Sequence, residues 1–119
     1  MNKWTVRLAA LGGLLAFGTE LQAHHAVASA YDLNTEIVLE GTLADLNFRN
    51  PHSNLILAVA NDDGTTTDWV LTTPSIQMLT RAGVNRSTIK PGENLRITIL
   101  PARNGNPAGF VMPRSIARF

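Results

Sequence analysis

His24, His25 and His52 are the only histidines of this sequence and the side chains whose pattern points most directly to chemistry. His24 and His25 are adjacent, and His52 ends an Asn50-Pro51-His52 corner. A histidine with a free α-amine chelates one metal through that amine and its ring Nδ1 together. A second imidazole completes a planar, T-shaped set of three nitrogens, the histidine brace. Such sets suit Cu(II), which also binds most tightly in the divalent first-row series. The α-amine pKa lies near ~7.7–8.0, so copper displaces its proton at neutral pH. With His24 at the start of the mature chain, His24 supplies the amine and Nδ1 and His52 the opposing nitrogen. His25 is then an accessory ligand or a competitor, since a histidine at position two binds Cu(II) through its ring, the amine and the amide between them. Two plainer readings stand beside this one. The doublet is an ordinary polar terminus and His52 caps a turn, or the same nitrogens hold zinc or nickel.

Whether that amine is free depends on the first segment. Lys3 and Arg7 precede an apolar run from Leu8 to Phe17, and a short polar stretch leads to Ala23. This is the layout of a secretory signal peptide. Ten apolar residues at ~1.5 Å each fall well short of a ~30 Å hydrocarbon core, so no membrane span is expected after cleavage. Cleavage after Ala23 leaves His24 first. Cleavage after Ala28, through Ala26-Val27-Ala28, satisfies the small-residue rule better and discards both histidines. It also stretches the polar stretch and fills it with imidazoles, so residues 1–23 are read as the signal and 24–119 as one domain. The expected location is the bacterial periplasm or the medium.

Composition excludes several functions. The chain lacks cysteine, which removes disulfides, thiolate metal sites and cysteine nucleophiles. Its net charge is +1 with no basic run, and nucleic acid is set aside. The serines lack a nucleophile elbow, no glycine-rich phosphate loop is present, and an enzyme is not the preferred reading. Asp62 and Asp63 belong to a turn, and Glu36 and Glu40 lie on one solvated strand face. Met78 and Met112 offer soft thioethers, but their helical and strand spacing reads as core.

The elements that must position His52 are mostly strands. Apolar residues alternate from Thr35 to Leu46, then fill Asn54 to Ala60 and Thr65 to Thr72 around Trp69. Asp63-Gly64 marks a hairpin with positive φ at both residues. Thr73 and Pro74 open a short helix that turns Ile76, Leu79 and Met78 inward and stops at Gly83. Leu95, Ile97 and Ile99 mark a fourth strand, and Phe110 to Ile116 a fifth. The fold class is mainly β: a small, five-stranded, partly open barrel of the oligonucleotide-binding type, with one helix between strands three and four.

The order of His24-His25, Gly41-Thr42, Asn50-Pro51-His52, Asp63-Gly64, Trp69, Leu79-Thr80-Arg81-Ala82-Gly83, Lys90-Pro91-Gly92 and Asn104-Gly105 resembles a family of short exported bacterial proteins. That family is a domain of unknown function sharing the Asn-Pro-His corner. The chain departs from it at Ala26, where serine is usual, and at Val84, where an aromatic residue is usual. The resemblance implies the fold and export and brings no established activity.

These readings predict a periplasmic copper-binding protein, a carrier or buffer, with a metal-free envelope module for a peptide, glycan or small molecule as the alternative. Processing tests the first step. The intact mass of the exported protein should match a chain that begins at His24; a mass beginning at Ser29 removes the brace.

Overall fold

Strand β1, Ile37–Asn47, is long enough to serve two neighbours. Its first half pairs antiparallel with β4, Asn94–Pro101, from Ile37 opposite Ile99 to Thr42 opposite Asn94. Its second half pairs with β2, Asn54–Ala60, from Thr42 opposite Ala58 to Asn47 opposite Asn54. A bulge between Leu43 and Asp45 bends the strand from one partner toward the other. This computed structural model describes Gln22 and residues 24–119. The chain divides into two units, Met1–Ala30 and Tyr31–Phe119. In the first, residues 24–30 are helical. The signal-peptide assignment falls, Gln22 apart, outside the described residues. Among the described residues, no helix is long and apolar enough to cross a membrane.

Strands β2 and β3, Thr66–Thr72, form an antiparallel hairpin. β3 then runs parallel to β5, Ala108–Val111, which returns antiparallel to β4. The order β1-β2-β3-β5-β4 therefore comes back to β1, and a five-stranded mixed barrel is closed. The β1–β4 pairing makes it closed rather than partly open. A two-residue β6, Ala117–Arg118, lies along the remaining edge of β4.

Alternation decides what fills the barrel. Leu43, Leu55, Leu57, Leu71, Leu95, Ile97, Ile99 and Val111 are fully buried, and each such side chain contributes roughly 1.5–3 kcal/mol by leaving water. Helix α1, Ile76–Arg81, adds Leu79, and the turn after it adds Val84 and Ile89. Trp69 packs partly buried against this core.

Five local expectations change. The cap of α1 is Ser75, whose hydroxyl accepts the Met78 N–H at 3.4 Å; Thr73 is buried and bonded elsewhere. Met78 is 53% exposed, because one step along a helix turns it away from buried Leu79. Met112, just past the end of β5, is exposed as well, and the two thioethers line one groove with Arg81 and Arg114 instead of the core. The last strand stops at Val111, since Pro113 has no N–H for a ladder and starts a 3-10 turn, Pro113–Ser115. In the hairpin only Gly64 has positive φ. Asp63 instead accepts the Thr65 N–H and hydroxyl at 2.9 and 2.6 Å, and these bonds hold its carboxyl below the ordinary carboxylate range.

Gly41 sits where β1 passes from β4 to β2, and a Cβ there would run into the Ala58 carbonyl oxygen and the Leu57 side chain. Gly41→Ala should therefore lower stability by about 1–3 kcal/mol, the usual range for overpacking. Urea denaturation checks this; an unchanged midpoint would show that the two strands can part without loss.

Candidate functional site

The corner between β1 and β2 is held by two fully buried polar side chains, Ser53 and Thr73. The Ser53 hydroxyl accepts the Arg49 N–H and lies at the same 3.1 Å from the Arg49 carbonyl, to which it donates. These bonds close the loop that contains the cis Asn50–Pro51 peptide. Thr73 joins the loop to the end of β3. Its N–H donates to the Ser53 carbonyl at 2.9 Å, and its hydroxyl lies 3.2 Å from that oxygen and 3.0 Å from the Pro74 carbonyl. Buried polar groups that are all paired give a rigid corner, since moving any one strands another without water.

His52 is presented on that corner. Its Nδ1 lies 2.9 Å from the Thr73 carbonyl oxygen. A carbonyl only accepts, so Nδ1–H is the donor, and the neutral ring keeps its lone pair on Nε2. Metal-binding imidazoles are commonly oriented by such a bond on the far nitrogen. The half-buried ring also stands edge-on to Phe110, with centroids 6.3 Å apart and planes at 78°.

Phe110 in turn meets Tyr31 at 5.7 Å. The Tyr31 hydroxyl donates to Thr72 Oγ1 at 3.0 Å, and Thr72 stands between Asn54 on β2 and Phe110 on β5 in the sheet register. Tyr31 also forms a β-bridge with Ala102, and the Asp32 N–H donates to the Pro101 carbonyl at 2.9 Å. Asp32 ties the following turn. Bonds from the Thr35 hydroxyl and the Asn34 N–H, helped by the charge of Arg103, hold its carboxyl below the ordinary range.

His24 and His25 lie in the helical residues 24–30, and both are exposed. In the uncleaved chain the His24 nitrogen is a peptide amide and cannot act as an amine ligand. Among the described residues, no group of three His, Asp or Glu side chains converges in the manner of a metal site; a site that draws on an α-amine is not of that kind. The sequence pattern assigned no role at this corner to Tyr31, Thr73 or Phe110. Tyr31 is the only tyrosine, and that alone does not mark it as an anchor.

A model of a family of unknown function, DUF6152, matches residues 11–111, and the chain belongs to that family. No curated protein matches the chain. Among solved structures it is similar to the N-terminal domain of PriB protein from Thermoanaerobacter tencongensis, a structure described as dimeric. The identity is 19% over 72% of this chain and 97% of that one, with a TM-score of 0.52. At that identity the likeness is one of fold: both share the oligonucleotide-binding type of barrel.

The corner makes two expectations measurable. Nitrogen NMR should find the neutral His52 ring protonated on Nδ1. Ser53→Ala should destabilise the domain by about 1–3 kcal/mol, because it leaves the Arg49 amide and carbonyl short of a partner. A ring protonated on Nε2 would contradict the Thr73 bond.

Proposed function

We propose that this member of the family is exported, cleaved before His24 and used in the periplasm as a copper carrier or buffer. In this reading the His24 amine and Nδ1 with the His52 Nε2 hold one Cu(II), and His25 is an accessory ligand. The observation that carries it is the Nδ1–H bond from His52 to the Thr73 carbonyl. It leaves Nε2 as the free lone pair and fixes the ring before any metal arrives, which lowers the ordering penalty of binding. The donor set is all nitrogen, which suits Cu(II).

Two features favour a metal over the ligands that barrels of this type otherwise take. Strands β2 and β3, which form the usual binding face for oligonucleotides, contain no lysine or arginine and carry Asp68. Phosphate backbones demand the opposite charge. The corner also provides one rigid imidazole, in keeping with holding a cargo ion.

Titration of the mature protein should find about one Cu(II) per chain, with an electron paramagnetic resonance spectrum of a planar nitrogen set. His52→Ala should weaken binding by at least ~10–100-fold, the loss seen when even indirect supports of a metal ligand are removed. One extra residue before His24 should be as damaging, and His25→Ala less so. Acid should weaken binding, because protons compete for the same nitrogens. Affinity unchanged from the mature protein in both the His52→Ala and the extended variants would overturn the reading in favour of a metal-free module.

A further inference from the structure

We infer that the groove between helix α1 and the 3-10 turn binds a small amphiphilic carboxylate, an apolar body that ends in one anionic head. The groove is lined by Met78, Arg81, Ala82, Met112, Pro113 and Arg114 and has a volume of about 420 Å³, within the range of small-molecule sites. No histidine lines it, so the inference goes beyond the copper reading and does not rest on it.

The apolar lining is the first observation. Met78 is 53% exposed and Met112 37%, although both are side chains that burial would favour. Met78 comes from α1 and Met112 from the residue that precedes the 3-10 turn. The fold, and no local run of sequence, therefore brings the two thioethers to one hollow. Unbranched and polarizable, they adapt to an irregular apolar body.

The second observation is charge. Arg81 ends α1 and Arg114 lies in the 3-10 turn, and both are exposed. Among the described residues, neither guanidinium has an ion-pair partner, whereas Arg96 and Arg118 of the same domain are paired with Glu40 and Glu93. No acidic side chain lines the groove itself. A guanidinium offers planar donors that match a carboxylate bidentately. Two of them beside an apolar lining thus complement an anionic head on an apolar body. Glu36 lines the adjoining hollow with Met112 and Arg114. Its repulsion grows with the charge of the head, which favours a singly charged carboxylate over a phosphate dianion.

Methyl NMR of Met78 and Met112 in the exported protein tests the site, with decanoate as the probe and decanol, acetate and decyl phosphate for comparison. Decanoate should move both methyl signals saturably. Decanol keeps the tail without the charge and should bind roughly fivefold more weakly, which is what exposed ion pairs contribute. Acetate keeps the head without the tail and should give no saturable shift. A variant with both Arg81→Gln and Arg114→Gln should lose roughly fivefold in decanoate affinity, while its decanol binding and urea midpoint stay at wild-type values. Equal binding of decanoate and decanol, or unchanged decanoate affinity in the double variant, would overturn the site. Equally large shifts at exposed Val38, Val70 and Phe119 would do the same, since they mark binding to any apolar surface. Tighter binding of decyl phosphate would overturn the choice of a carboxylate. Copper enters none of these measurements, so their failure leaves the copper reading as it stands.

Discussion

Everything in this domain follows from one strand having to hydrogen-bond to two others. β1 gives its first half to β4 and its second half to β2, and only then does the sheet close on itself with no long edge exposed. The demand falls on a few residues. Gly41 lets the β2 backbone come close, and the bulge after Leu43 supplies the turn in direction. Leu43 and its opposite numbers on β2, β3 and β4 then face one interior, where their burial outweighs the loss of chain entropy.

Closure also brings together pieces far apart in the chain. The loop before β2 and the end of β3 meet through Ser53 and Thr73, two fully buried polar residues whose bonds satisfy each other. Their burial gives the corner its rigidity, because each donor would be stranded if the loop moved. His52 inherits that rigidity through the Thr73 carbonyl. The His52 ring also stands edge-on to Phe110, which Tyr31 packs against in turn.

The strand pattern was readable because burial on one face imposes a period of two. Ile37–Asn47 was legible from its sequence for that reason, and the alternation of Leu95, Ile97 and Ile99 marked β4 equally well, whereas Asn54–Ala60 was read from its nearly continuous apolar run. Other signals had competing explanations. Thr73 before Pro74 looks like a helix cap, yet the loop behind it required a buried donor, and Ser75 took the cap instead. Met78 at helical spacing looks like core, but a six-residue helix against a barrel end buries one narrow stripe, and Leu79 fills it. Phe110 to Ile116 reads as one strand until Pro113 is seen to withhold its amide.

The amino-acid sequence by itself determined the class of fold, the inventory of histidines and the corner on which His52 stands, because these depend on residue type and on periodicities a few positions long. The tertiary structure alone decided that the barrel closes, that Thr73 orients His52, and that Tyr31 and Phe110 stand beside it. Those are meetings between residues about 20 to 80 positions apart, and no local pattern encodes them. They exist because a closed sheet fixes which strands are neighbours, and with them which side chains share a face.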